Sequence, residues 1–509
     1  MSSPFETFDQ IPQEVPRKVD DSQSDVEPPS RGVTNLTSVQ AKPQSSPGTP
    51  DRDLPEPVIV ARALAADPAS RGYLGAHGAT HLADLARDFI ACFSGRICRG
   101  PDGIWVYANG VWSPGARTAS MVLAALLKDQ WSAALEDKIL DFLQRQPDHP
   151  EISNDPGSDD WSDCVNFLNG RYVWPTGELL PHTPETLSTW QLTVPFEPGE
   201  ALMWDQFLVE VLPEDMLVPD ENGIAPWQED LGYLLLPGNP FHSAFLLRGS
   251  GRNGKGVWMS VIQRIAGRYS GVSLEDIASP NRSRFRTYGL YGSPLNICGE
   301  IDAKYMGETA MFKALTGGDP MQFERKYGMP FTAIPWATFV FSANKDFRAS
   351  DNSIAFWDRW QVRSFPKYIP EERRSPDLAL RIYAREGPQI AALAMAGLRN
   401  LTARGRFVET RSSAEAKERF RMHSDHVGRF IGERCRFTED AKDSTTRTQL
   451  VAAYQQWCDD EQERYPVRTA ELHEAVRTAA VLAGIPADRV ERKVNGTRGF
   501  AYLSIEEQS

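Results

Sequence analysis

The chain is short of cysteine, of positive charge and of long apolar runs, and each shortage excludes something. Its six cysteines (Cys92, Cys98, Cys164, Cys298, Cys435 and Cys458) are scattered over 509 residues. They form no C-x-x-C pair and have no nearby histidine ligands, which argues against a zinc site and for reduced thiols in a cytoplasmic setting. No apolar run reaches the roughly 20 residues of a membrane span. The start, MSSPFETFDQIPQEVPRK, lacks the basic-then-apolar pattern of a leader, so no membrane partner is expected. The net charge of −13 argues against a protein coated in nucleic acid. It leaves room for a narrow basic channel, because local charge decides binding there. Internal repeats are absent.

Residues 1–58 have few large apolar groups and many Ser, Pro, Asp, Glu and Gln. Such a segment cannot offset its chain entropy by burial, so a disordered, acidic-leaning tail is expected. The remaining length fits two to four domains. HLADLARDFIACF (81–93) has the apolar spacing of an amphipathic helix. GIWVYANGVWSP (103–114) predicts a hairpin about Asn109-Gly110. The stretch 121–146 reads as one helix, and 376–400 as another. Residues 243–366 alternate apolar strands with helices, the pattern of an α/β sheet. Near the C-terminus, two helical stretches and a hairpin about Asn495-Gly496 suggest a small winged helix.

The most informative segment is FLLRGSGRNGKGV (245–257). An apolar strand runs into Gly249, Ser250, Gly251, Arg252, Asn253, Gly254 and Lys255, and a helical stretch follows. This is the strand–loop–helix context of a phosphate-binding P-loop, G-x-x-x-x-G-K. Glycines let backbone N–H groups converge on phosphate oxygens. The helix after Lys255 points its positive dipole end at the same anion, and the lysine adds a mobile charge. ATP is the expected ligand, held by residues 249–257. One position departs from the pattern: Gly256, followed by Val257, stands where Ser or Thr usually holds Mg²⁺. The metal shell must then be completed by water or by a downstream acid.

That acid is expected in SPLNICGEID (293–302), where an apolar strand delivers Glu300 and Asp302 to its C-terminal end. Ligands of open α/β sheets bind at that edge, and a carboxylate there can hold Mg²⁺ through water. Glu300 is the favoured acid; Asp302 stands open between a second metal ligand and an N-cap for a helix at 303–315. A further strand, WATFVFSANKDF (336–347), ends in Asn344. Its amide can touch the terminal phosphate or the lytic water, or simply make a turn. Arg359 and Arg363 follow, each open between an arginine finger and an ion-pair partner. Between the strands, Gly317-Gly318 precede Arg325 and Lys326 on a hairpin-like loop. A basic residue there can grip a phosphodiester backbone, although on its own the segment reads first as a solvated basic turn.

Taken in order, GSGRNGKG, NICGEID, TGGDPMQFERK, FVFSAN and AFWDRWQVRSFP resemble the Walker A, Walker B, B′, motif C and arginine-finger segments of superfamily 3 helicases. The phage/plasmid primase-helicase family, related to the poxvirus primase-helicases, is the nearest likeness. FLNGRYVWPTGELLPHTPE is similar to its N-terminal helicase-associated region, and VAAYQQWC with the final hairpin to its winged helix. The likeness spans roughly residues 80–505.

The resemblance implies an AAA+-like P-loop ATPase core at 226–375, an N-terminal helicase-associated domain at 59–225, a helical segment at 376–440 and a winged-helix domain at 441–509. It further implies a homo-oligomeric ring, usually a hexamer, in a bacterial or archaeal host cell or encoded by a phage. Single-stranded and forked DNA are the implied partners, and known relatives move 3′ to 5′. Lys255, Glu300, Asn344 and Arg359 would be catalytic, with Arg359 supplied in trans; Lys326 and Arg325 would contact DNA. The stretch before residue 80 is too short for a polymerase-type primase, so a separate primase or loader is expected. Two other readings stay open: a P-loop motor that does not unwind, and a DNA-binding assembly protein that nucleotide merely holds together.

Overall fold

The computed structural model describes residues 54–506, except 67–72, 74–80, 101–102, 146–161, 279–284, 302–304, 307–308, 325–329, 346, 350, 352, 462–465 and 495. The tail expected at 1–58 lies outside the described residues up to position 53. From Glu56 the chain is already helical.

The N-terminal part packs helices α1 (Glu56–Ala66), α2 (Leu82–Cys92), α3 (Ala116–Leu127) and α4 (Ala133–Gln144) with a small sheet of β1 (Ile97–Gly100), β2 (Gly103–Ala108) and β3 (Val111–Pro114). In α2 the expected stripe is buried through Leu85, Phe89 and Cys92. The hairpin forms as predicted. Ala108 pairs with Val111 across a two-residue turn, and Asn109 and Gly110 both take positive φ, 51° and 86°, as that turn demands. The single helix expected over 121–146 is instead two helices. Lys128 adopts φ 49°, and the Ser132 hydroxyl accepts the Leu135 N–H to start α4 afresh.

A three-stranded meander follows, with β4 (Cys164–Phe167), β5 (Gly170–Val173) and β6 (Glu178–Leu180), then helices α5 (Leu202–Val211) and α6 (Pro226–Leu234).

The central sheet begins with β7 (Ala244–Arg248), which leads to α7 (Lys255–Ala266) and the short α8 (Leu274–Ala278). Next come β8 (Leu295–Glu300), β9 (Tyr305–Met306), α9 (Ala310–Gly317), and an antiparallel pair of β10 (Met321–Phe323) and β11 (Phe331–Ala333). Then follow β12 (Thr338–Ala343), β13 (Arg348–Ala349), α10 (Ile354–Trp357) and β14 (Trp360–Ser364). Four strands, in the order β14-β7-β12-β8, form a parallel sheet. Its central strands are near-continuous apolar runs because both faces are covered. The two-residue period of a strand divides them. Phe245, Leu247 and Val340 join a core with α7 and α11 (Leu378–Arg404). Ala244, Leu246, Phe339 and Phe341 join the opposite core with α9 and α12 (Arg411–Ser424). The helix expected from 303 begins only at Ala310, with Thr309 at its N-cap position. The reading of Asp302 as its cap therefore falls, and Asp302 itself lies outside the described residues.

The C-terminal part contains α13 (His426–Arg434), β15 (Cys435–Phe437), β16 (Ser444–Thr446), α14 (Arg447–Asp460), α15 (Thr469–Leu482), α16 (Ala487–Val490), β17 (Glu491–Val494), β18 (Thr497–Ala501) and β19 (Leu503–Ile505). β17 and β18 make the expected hairpin, and β16 adds a third strand. Among the described residues, no helix is long and apolar enough to cross a membrane.

Candidate functional site

Strand β7 is buried from Ala244 to Leu247 and releases the chain at Arg248 into the glycine loop. The loop is fixed at both shoulders. Gly249 N–H donates to Ala343 O at 3.2 Å, which ties it to the end of β12. Ile369 N–H donates to Arg252 O at 2.9 Å, which ties it to the segment after β14. Two glycines are required by this geometry. A Cβ at Gly249 would lie 1.9 Å from Asn253 Nδ2 and 2.5 Å from Phe365 O. Gly254 has φ 87°, and a Cβ there would meet Val211 Cγ1 at 2.4 Å; L-residues are disfavoured in that backbone region.

Lys255 begins α7 and is only 5% exposed. Its ammonium donates to Gly249 O at 2.6 Å, to Asn344 Oδ1 at 3.1 Å and to Asn253 Oδ1 at 3.2 Å. These contacts match the three donors of an ammonium. Asn253 in turn donates through Nδ2 to Phe365 O at 3.0 Å. The structure thus brings together Lys255 and Asn344, two residues far apart in sequence, at the C-terminal tips of adjacent strands.

A cleft of 440 Å³ opens over this loop. One side is the loop and the first turn of α7, including Gly256 and Val257; Ser342 and Asn344 contribute from β12. The other side comes from α5 and from a strap at 365–378, neither of which carried a sequence signal. The strap is held to α5 by Lys367 Nζ, which donates to Val209 O at 2.6 Å, and by an Arg373–Glu210 ion pair. Arg252 and Arg374 both hydrogen-bond the exposed Tyr368 hydroxyl and lower its pKa. The cleft is therefore cationic beside the loop, with Arg252, Lys255, Arg373 and Arg374 along it.

Glu300 ends β8 and pairs in register with Ser342 on β12, which puts its backbone at the same sheet edge. Its side chain lies outside the described residues, as do Arg325 and Lys326, which belong to the connection between β10 and β11. Among the described residues, nothing comes within 4 Å of a Cβ built on Gly256.

The two arginines are now distinguishable. Arg363 is 5% exposed, and its Nε and Nη2 donate to the two Asp230 oxygens at 2.6 and 2.7 Å. It also donates to Ser413 Oγ at 3.2 Å and lies over the Phe245 and Phe407 rings. Burial pushes the Asp230 carboxyl up, and Arg363 counters that. Arg363 is a structural ion-pair partner. Arg359 is half-buried just before β14; its Nε donates to Thr316 Oγ1 at 3.0 Å and its Nη1 to Ala355 O. Its carbonyl accepts from Ala244 N–H, at the first residue of β7. It therefore stands at the sheet edge opposite the glycine loop.

Residues 247–359 match a family described as "Family of unknown function (DUF5906)", and residues 89–213 match one described as "D5 N terminal like". The first match runs from the end of β7 to Arg359, and so takes in the glycine loop, Lys255, Glu300 and Asn344 but neither α5 nor the strap. No curated protein matches the chain. Among solved structures, "The A form apo structure of NrS-1 C terminal region-CTR" is 12% identical with a TM-score of 0.38, covering 80% of this chain and 95% of that one. An apo structure of the same region has a TM-score of 0.40 at 12% identity, with the same coverage. At such scores the functional reading rests on the residues themselves.

Proposed function

We propose that this chain is an ATP-dependent replicative DNA helicase of a phage, plasmid or integrated element, working as a homo-oligomeric ring on single-stranded DNA. The observation that carries the reading is the Lys255 ammonium, buried at the head of α7 and bonded to the glycine loop and to Asn344. A triphosphate entering the loop would take over that ammonium. Support for an AAA+-like core comes from the sheet order. β12 separates the loop strand from the acid strand, so Asn344 stands between Lys255 and the end of β8. The D5 N-terminal-like match ahead of the core agrees with the resemblance drawn from the motifs. The hairpin β17–β18 beside α14 and α15 supports the winged-helix reading.

In this reading Lys255 neutralises the β- and γ-phosphates, Glu300 helps to polarise the attacking water, Asn344 senses the γ-phosphate, and Arg359 stabilises transition-state charge on a neighbouring copy's nucleotide. Mg²⁺, when bound with ATP, supplies further charge neutralisation; Glu300 and Asp302, through water, are the residues assigned to hold it. Lys326 and Arg325, on the connection of the β10–β11 hairpin, grip the DNA backbone. A second reading, nucleotide as a structural ligand of a DNA-binding assembly, is favoured by one observation: no hydroxyl follows Lys255.

The test is unwinding of a forked DNA duplex with ATP and Mg²⁺ by wild type, Lys255→Ala and Lys326→Ala. The helicase reading expects strand separation by wild type, no hydrolysis by Lys255→Ala, and hydrolysis without unwinding by Lys326→Ala. Hydrolysis without unwinding by wild type would favour a motor of another kind. No hydrolysis by wild type, with nucleotide-dependent assembly, would favour the structural reading.

A further inference from the structure

The cleft has an apolar end for which phosphates have no use. Phe207 of α5, Val257 and Met259 of α7, Ile369 within the strap and Leu378 at its far end line it. Among the described residues lining the cleft, Glu210 is the one carboxylate, set among Arg252, Lys255, Arg373 and Arg374. A carboxylate in a cleft that takes a polyanion works against binding if it faces the phosphates. Here Arg373 offsets that charge, and the remaining acceptor sites on the carboxylate suit a neutral hydroxyl donor.

The setting of the carboxylate says which donor. Glu210 lies three residues after Phe207, on the same face of α5, beside the apolar end. Arg373 pairs with it from the strap, which holds the carboxylate in place and leaves further acceptor sites on its two oxygens. Both walls are pre-set: the strap is bonded to the loop through Arg252 O and Asn253 Nδ2, and to α5 through Val209 O. A neutral group bearing hydroxyl donors, attached to an apolar ring on one side and to phosphates on the other, fits between them. That group is a ribose.

We infer that Glu210 selects ribonucleotides over deoxyribonucleotides. The base packs between Phe207 and the Ile369–Leu378 side of the strap, and the Glu210 carboxylate accepts the ribose 2′-hydroxyl. This assignment rests on the proposed nucleotide site and adds to it a specificity that the loop motif does not encode. A hydrogen bond to a charged acceptor corresponds to roughly tenfold in affinity.

The experiment is calorimetric titration of the full chain with ADP and with dADP, which do not turn over, for wild type, Glu210→Ala and Glu210→Gln. Wild type is expected to bind ADP about tenfold more tightly than dADP. Glu210→Ala should bind both alike, at the wild-type dADP affinity. Glu210→Gln, which keeps an acceptor without the charge, should fall between. Glu210 is exposed on α5, and an unchanged thermal midpoint with either substitution checks folding. Equal wild-type affinities for the two nucleotides overturn the inference while the nucleotide site stands. So does a Glu210→Ala variant that weakens both nucleotides equally. If wild type binds neither, the nucleotide reading falls and the inference with it.

Discussion

Replacing Arg363 with alanine should unfold the edge of the central sheet, whereas the same change at Arg359, four residues away, should leave it intact. The Arg363 and Asp230 side chains are 6% and 3% exposed, and their contact is a two-pronged pair. Removing the guanidinium leaves a buried carboxylate with no countercharge. Breaking such a pair from one side costs about 3–5 kcal/mol. The loss of cover over Phe245 and Phe407 adds to it. Among the described residues, Arg359 donates only to neutral acceptors, Thr316 Oγ1 and Ala355 O, each bond typically worth about 1 kcal/mol net. A chain of this size need not unfold in one step, so the readout must be local. Hydrogen exchange of peptides covering β7 and β14 under increasing urea reports the opening free energy of that edge. Arg363→Ala should lower it by about 3–5 kcal/mol, and the double change Arg363→Met with Asp230→Leu should recover most of the loss, because an apolar pair of similar volume replaces a buried ion pair at little cost. Arg359→Ala should stay within about 2 kcal/mol of wild type. An Arg363→Ala protein within that same margin would refute the structural role given to this pair. A double variant no better than the single would do likewise.

Gly254→Ala forces an L-residue into φ 87° and drives its Cβ into Val211, so it should abolish nucleotide binding, measured by titration, while the far-UV circular dichroism changes little. Burial raises the Asp351 carboxyl, but bonds from Lys313, Ser353 and Thr309 outweigh that and bring it to about 2. A carboxyl held below its ordinary value stabilises the fold at any pH above the unfolded value, by at most about 2 kcal/mol here. The urea midpoint gap between wild type and Asp351→Asn should therefore be constant from neutral pH to about 5 and close as pH falls from about 4 toward 2. Burial pushes the Cys92 and Cys164 thiols up to about 11 and Cys435 to about 12. Native protein at pH 8 should react slowly with a thiol reagent, with the half-buried Cys298 first, and rapid labelling of Cys435 would contradict its packing.

The loop, its lysine and Asn344 were legible because each follows an unbroken apolar strand, and a parallel sheet delivers every such strand end to one edge. The remaining cleft wall was not. Phe207, Glu210 and Arg373 lie on an ordinary amphipathic helix and on an irregular strap, far from the loop in either direction along the chain, and only tertiary packing makes them neighbours. Arg359 and Arg363 were indistinguishable for a related reason. Both flank or occupy β14, and what separates them is Asp230, a residue on a distant helix. The break between α3 and α4 was hidden because apolar spacing continues across it. The signals that mattered were a positive φ at Lys128 and the cap at Ser132, local backbone features that periodicity does not register.

Strand direction also constrains how the proposed chemistry can be completed. Lys255, Asn344 and the end of β8 lie at the carboxyl edge of the sheet, and Arg359 lies at the amino edge, hydrogen-bonded to the start of β7. Five residues of β7 at about 3.3 Å each separate the two edges by roughly 16 Å, well beyond the reach of an arginine side chain. No rotamer change of Arg359 brings it to its own loop, and Arg363, the nearer arginine on the same strand, is committed to Asp230. If an arginine finger acts on the phosphates held by this loop, and if Arg359 is that finger, it must belong to another copy of the chain. A single copy would then bind nucleotide and hydrolyse it poorly, and assembly would act as the switch for turnover.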